Sequence, residues 1–129
     1  MANDTDTTLM SPPAARRSLS LGLLYRGREY SLTPTDTPFV IGRDADSNDL
    51  CVSNQYSSRR HCTIEFREAK FVLCDSSTNG TYLQLGRSEN LRLRNETTPL
   101  VGHGCFKPGC DFSPDDPDLI HFVIRDSAN

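Results

Sequence analysis

Three short polar segments of this 129-residue chain carry side chains that could act together in binding. The segments are Gly42-Arg43, Ser58-Arg59-Arg60-His61 and Ser77-Thr78-Asn79-Gly80-Thr81. They combine guanidinium groups, hydroxyls and a side-chain amide, all of which can donate hydrogen bonds to an anion. A guanidinium pairs with two phosphate oxygens at once, and clusters of such donors are typical of sites for phosphorylated peptides. The segments therefore indicate a phosphopeptide site, provided that the fold brings them together.

Each polar segment adjoins a short apolar run that is typical of a β-strand. Residues 39–41 precede the first segment, residues 62–66 follow the second, and residues 71–74 precede the third. If these runs are neighbouring strands, the three segments are loops at one end of a sheet structure. The strands are thus the elements that must position the site.

The rest of the chain is also patterned for strands. Leu19, Leu21, Leu23 and Tyr25 alternate with other residues, and residues 119–124 form the most apolar late run. Turn residues recur at frequent intervals, and no apolar stripe has a helical period. This pattern of about ten short strands predicts an all-β sandwich.

The chain has the length of one domain with a tail at each end. Residues 1–17 are rich in Thr and Asp, contain a Pro-Pro pair and show no periodicity, so we expect a disordered tail. Residues 18–126 form the predicted domain, and residues 127–129 form the C-terminal tail.

Composition argues against several classes of partner and location. The net charge of −3 disfavours a nucleic-acid surface, which needs a strongly basic face. No apolar run approaches the roughly 18 residues of a membrane span, and the polar start lacks the pattern of an export signal. The five cysteines are odd in number and form no C-x-x-C pair, which favours a reducing setting. We therefore expect a cytoplasmic location.

Two other interpretations of the polar residues fit the spacing less well. A hydrolase would use Ser58 as nucleophile and His61 as base, but residues three apart at a strand start do not readily face each other. A zinc site would draw on His103, Cys105, Cys110 and His121. Their spacing does not match the compact ligand pairs of structural zinc sites. We expect no catalysis, no metal and no cofactor.

The three polar segments, in this order and at this spacing, resemble the motifs of the forkhead-associated (FHA) domain family. The resemblance extends over roughly Leu19 to Arg125. It implies a β-sandwich of about eleven short, mostly antiparallel strands whose loops bind phosphothreonine peptides. The chain departs from the family pattern in a long polar stretch at residues 90–98 and in residues 108–118, which look like an insertion.

The resemblance also implies a set of phosphopeptide-binding residues. They are Arg43, Ser58, Arg59, Thr78 and Asn79. The arginines and hydroxyls are expected to contact the phosphate, and the amide to grip the main chain of the ligand. Tyr56, in the loop before the second segment, is the candidate specificity residue for the third ligand position after the phosphothreonine.

The remaining motif positions are expected to be structural: Gly42, His61, Gly80 and Thr81. The Asn-Gly pair at positions 79 and 80 predicts a turn with positive φ. His61 is expected to hold neighbouring loops through hydrogen bonds. Asp75 is expected to anchor the turn that follows it through its carboxylate.

The resemblance thus predicts a signalling module that recognises phosphothreonine in partner proteins. An alternative is a phosphate-independent assembly or regulatory scaffold that binds through a sheet face, in a fragment of a larger signalling enzyme. Some members of the family are controlled by a phosphorylated threonine tail. Phosphorylation of Thr5, Thr7 or Thr8 would in the same way create a ligand within this chain.

Overall fold

The computed structural model describes residues 18–127. The predicted N-terminal tail, with its three threonines, lies outside the described residues. No helix in the described part of the chain is long and apolar enough to cross a membrane.

Residues 18–127 contain eleven β-strands and one 3-10 turn, which confirms the all-β prediction. The strands are β1 Ser18–Tyr25, β2 Arg28–Leu32, β3 Phe39–Gly42, β4 Leu50–Cys51, β5 Cys62–Arg67, β6 Lys70–Asp75, β7 Thr81–Leu85, β8 Leu91–Leu93, β9 Thr97–Pro99, β10 His103–Pro108 and β11 Ile120–Ser127. The 3-10 turn covers Pro34–Asp36. The polar stretch at residues 90–98 contains β8 and the start of β9, and β11 runs one residue past the predicted domain end.

The strands form two sheets. One has five strands in the order β9-β6-β5-β3-β4, and the other has six in the order β2-β1-β11-β10-β7-β8. Only β3 and β4 pair in parallel among the strands of residues 18–127, so the prediction of mostly antiparallel pairing is confirmed. Each sheet turns one face toward the other, as in a sandwich.

The core lies between the two sheets. Alternate residues of β1, among them Leu21 and Leu23, are buried in the same cluster as Ile64 and Leu73 of the opposite sheet. Phe106, which is completely buried, joins the cluster from β10. Burial of apolar surface stabilises the folded state by about 25 cal/mol per Å². Because both sheets share this core, it fixes the positions of the strand ends beneath the loops.

Strand register brings the three polar segments to one end of the sandwich. Ile41 pairs with Cys62, and Cys62 pairs with Asp75, so the end of β3, the start of β5 and the end of β6 lie side by side. A two-residue turn holds β5 and β6 in this register, with Glu68 and Ala69 at φ 50° and 64°. Positive φ at both positions matches the twist of the paired strands.

The predicted insertion, residues 108–118, lies almost entirely in the segment between β10 and β11, residues 109–119, which we call the strap. Lys107 Nζ lies 2.6 Å from Asp116 Oδ2, and both side chains are largely buried. Tyr25 donates its hydroxyl to Asp118 Oδ1 at 3.3 Å, and Arg26 Nε donates to the same oxygen at 2.9 Å. These contacts tie the strap to β10 and to the β1–β2 turn.

Candidate functional site

Backbone hydrogen bonds join the first two polar segments. Arg43 N donates to Ser58 O at 2.9 Å, and His61 N donates to Ile41 O at 2.8 Å. Asp44 N donates to Arg59 O at 3.2 Å. The loop after β3 and the loop before β5 therefore run side by side.

The third segment docks on the second through side chains. Thr78 N donates to Ser58 Oγ at 3.3 Å, and Asn79 Nδ2 donates to Tyr56 O at 2.8 Å. The structure thus brings the loops of all five predicted binding residues together at one end of the sandwich. We call this set, Arg43, Ser58, Arg59, Thr78 and Asn79, the loop site.

The cations of the loop site lie at its surface. Arg43 is exposed, and its Nε donates to Ser57 O at 3.0 Å, which tethers the guanidinium at one corner. Arg59 is exposed as well. The pKa of Asp44 is lowered by hydrogen bonds from Asp46 N and Ser47 Oγ, and further by the charges of Arg59 and Arg43. The carboxylate of Asp44 therefore belongs to the same electrostatic environment as both arginines.

His61 holds the loops together from beneath the site, as predicted. The side chain is completely buried. Its Nδ1 accepts a hydrogen bond from Ser58 N at 2.9 Å, and its Nε2 lies 2.8 Å from Gly80 O. Because Nδ1 accepts, Nε2 must carry the proton and donate to the carbonyl. Burial lowers the pKa of His61, and the hydrogen bond to Gly80 O and the charge of Asp75 offset part of this effect. The lowered pKa favours the neutral ring.

Asp75 accepts four hydrogen bonds, and three of them come from the third segment, which is the anchoring role predicted for it. Its Oδ1 accepts from Ser77 Oγ and Thr81 Oγ1, each at 2.7 Å. Its Oδ2 accepts from Asn95 N at 2.9 Å and from Ser77 N at 3.2 Å. Thr81 is completely buried, so its hydroxyl is part of the support and not of the binding surface.

Glycine is required at the two motif positions for different physical reasons. Gly80 has a φ of 93°, as the Asn-Gly pair predicted. Gly42 lies against the neighbouring loop, where a Cβ would meet Arg59 O at 2.2 Å. A side chain at Gly42 would push the two loops of the site apart, so this position is structural too.

Two supporting residues escaped prediction from sequence. Asn54, in the loop at residues 53–58, is buried; its Nδ2 donates to Pro108 O at 2.6 Å and its Oδ1 accepts from Tyr56 N at 2.8 Å. Gly109 N, at the start of the strap, donates to Gly80 O at 2.9 Å. A Cβ on Gly109 would lie 2.6 Å from the carbonyl carbon of Tyr56. The Pro108-Gly109 pair is a turn signal, but the pair alone does not show what the turn supports.

The structure also shows where the residues of the hydrolase, zinc-site and specificity interpretations lie. It is the backbone N of Ser58 that bonds to His61, while the Ser58 hydroxyl accepts from Thr78 N. His103, Cys105, Cys110 and His121 belong to no group that could hold a metal ion within residues 18–127, where no such cluster of three or more His, Cys, Asp or Glu side chains is found. Tyr56, the candidate specificity residue, is 52% exposed next to the loop site.

Sequence comparison identifies the family of the central strands. The model of the FHA domain matches residues 39–102. A stretch of 53 residues is 40% identical to the FHA domain-containing protein FhaB of Mycobacterium tuberculosis, and it covers 40% of this chain and 34% of FhaB. This match therefore spans about a third of that protein's length.

Solved FHA structures share the whole fold. The FHA-1 domain of Mycobacterium tuberculosis Rv1747 superposes with a TM-score of 0.62 at 24% identity, over 83% of this chain and 97% of that one. The MEK1 FHA domain, solved in complex with a HOP1 phosphothreonine peptide, has a TM-score of 0.60 at 23% identity, over 81% of this chain and 95% of that one. The similarity of fold thus extends beyond the residues that match the family model.

Proposed function

Because this chain carries an FHA domain, we propose that its loop site binds phosphothreonine in a partner protein. The MEK1 relative was solved with such a peptide. Binding of this kind makes the domain a phosphorylation-dependent interaction module in signalling, with no catalytic step of its own.

The observation that carries the proposal is the set of hydrogen bonds that joins three separate loops around one group of donors. Arg43 is tethered through Nε to Ser57 O, which leaves its two terminal nitrogens to face a ligand. Phosphothreonine carries nearly two negative charges and three acceptor oxygens. A preorganised guanidinium binds two of those oxygens with little further loss of side-chain entropy. Ser58, Arg59 and Thr78 supply the other donors at the same end of the sandwich.

Asn79 and Tyr56 have a different proposed role. The Asn79 amide nitrogen already bonds to Tyr56 O, so its Oδ1 is oriented for a main-chain N–H of the ligand. The exposed ring of Tyr56 then flanks the bound peptide and contributes to its sequence preference. The phosphate and the main chain are thus held by separate groups.

We extend the proposal to the setting of the whole protein. The five cysteines are free thiols, in keeping with an intracellular location. The acidic net charge disfavours nucleic acid as a partner. Phosphorylated Thr5, Thr7 or Thr8 would be a ligand within the same chain and would compete with an external partner.

The test is a titration of the domain with a pool of phosphothreonine peptides beside the same pool without phosphate. We expect micromolar affinity for the phosphorylated pool only, since a short peptide must be ordered for little buried area. Arg43→Ala should weaken binding about 30-fold, or about 2 kcal/mol, because it removes a charge-assisted pair.

Arg87→Ala is the matched control, because Arg87 is an exposed arginine in the β7–β8 turn. Amide spectra establish that each variant is folded. Equal affinity of folded Arg43→Ala and wild type would refute the site. A partner that remains bound after phosphatase treatment would instead favour the phosphate-independent scaffold, which binds through a sheet face.

A further inference from the structure

An arginine outside the family motif lies directly beside the loop site. Arg92 stands on β8, opposite Tyr82 of β7 in the strand register. The flanking residues Leu93, Leu83 and Thr81 are buried, so the alternation of the strands places Arg92 and Tyr82 on the outer face of the six-stranded sheet. β8 is the edge strand of that sheet, and Arg92 is exposed there.

Two contacts fix the Arg92 guanidinium at the edge of the loop site. Its Nε donates to Asn79 O at 3.2 Å, and its central carbon lies 5.6 Å from the centre of the Tyr82 ring. A Cβ on Gly80 would lie 2.9 Å from Nε, so the glycine also makes room for this side chain. The aromatic ring and the carbonyl together preorganise the cation, as stacked arginines are in anion sites.

The charge of Arg92 is not balanced within the described part of the chain. No carboxylate of residues 18–127 lies within 4.0 Å of its nitrogens. Arg92 is exposed, and the hydrogen bond to Asn79 engages only Nε. Within residues 18–127 its two terminal nitrogens make no hydrogen bond, so they are available as a forked pair of donors to an anion with two acceptor oxygens.

We propose that Arg92 forms a subsite for an anionic side chain that flanks the phosphothreonine of the ligand. This inference rests on the proposed function, because Asn79 is the residue that grips the ligand main chain there. Because Arg92 contacts Asn79 directly and an extended peptide advances about 3.3 Å per residue, we place the anion within about three residues of the phosphothreonine. The anion is either a carboxylate or a second phosphate, which present the same forked acceptors.

The experiment moves one aspartate along an otherwise neutral phosphothreonine peptide, from three residues before the phosphothreonine to three after it. A parallel series replaces the aspartate with phosphoserine, which distinguishes the carboxylate from the phosphate. Affinities are measured by fluorescence anisotropy at two salt concentrations. We expect one position to bind about fivefold more tightly than the neutral peptide, with the gain reduced by salt.

The variant Arg92→Ala should lower this ratio of acidic to neutral affinity from about five to about one, and Arg92→Lys should restore only part of it because lysine lacks the forked geometry. Arg94→Ala is the matched control, since it removes an exposed arginine two residues further along the chain. The ratio should survive in that variant.

Each result has a defined meaning. A ratio near one at every position in the wild type, or a ratio that survives in Arg92→Ala, overturns the subsite while the neutral phosphopeptide still binds. A phosphopeptide that does not bind at any position overturns the proposed function and the subsite with it. Equal losses in Arg92→Ala and Arg94→Ala would show general electrostatic attraction and would also overturn the subsite.

Discussion

Replacement of His61 tests how the loops are held beneath the site. The imidazole is completely buried and bonds to Ser58 N at 2.9 Å and to Gly80 O at 2.8 Å. His61→Ala would leave Ser58 N without a partner, which costs about 1–3 kcal/mol, and Gly80 O would keep only Gly109 N as a donor. Together with the cavity left by the buried ring, we expect a loss of about 3 kcal/mol in the free energy of unfolding, out of the 5–15 kcal/mol typical of a domain.

The assay is urea unfolding followed by circular dichroism at pH 7.5. His121→Ala is the control, because His121 is an exposed histidine on β11, and it should change the free energy of unfolding by less than about 0.5 kcal/mol. Phosphopeptide affinity of His61→Ala should fall as well, since Ser58 loses its anchor. A folded His61→Ala protein that loses less than about 1 kcal/mol would refute the reasoning.

The buried position of His61 also predicts how the stability of the fold depends on pH. Burial lowers the pKa of His61, so the folded state binds fewer protons at this site than the unfolded state does. Stability is therefore complete above the unfolded pKa of about 6.5 and declines as the pH falls below it, by at most about 1.4 kcal/mol per pH unit.

The slope continues until the pH reaches the lower pKa of folded His61. It should be missing in His61→Gln, which carries no titrating ring. Stability is measured without ligand, because the phosphate titrates near pH 6 and would change binding over the same range. An identical slope in wild type and His61→Gln would contradict this assignment.

Two further substitutions test the supports of the loop site. Asp75→Ala should cost about 3 kcal/mol or more in urea unfolding, because four hydrogen-bond donors lose their acceptor. A loss no larger than that of Asp46→Ala, an exposed aspartate in the β3–β4 loop, would contradict this. Gly109→Ala should weaken phosphopeptide binding several-fold, because φ is 99° there and the new Cβ would press on the backbone at Tyr56. Gly102→Ala, also at positive φ but with open space around its Cβ, is the control, and equal affinities of the two variants would refute the effect of the strap.

Much of the site was predictable because its chemistry is local in sequence. Asp75 and Ser77 lie two residues apart, so the carboxylate-anchored turn follows from their spacing alone. The Asn-Gly pair likewise predicted positive φ at Gly80, and the apolar runs predicted the strands on either side. The order and spacing of the three polar segments then led us to expect that their loops meet.

The tertiary structure decided which distant residues support and extend the site. Asn54 bonds to Pro108 across 54 positions of sequence, and Arg92 reaches Asn79 because β8 pairs with β7 in one particular register. Periodicity shows which face of a strand is buried, but not which strand lies beside it or at what offset. Those choices depend on how the two sheets fill a common core, which no local segment encodes.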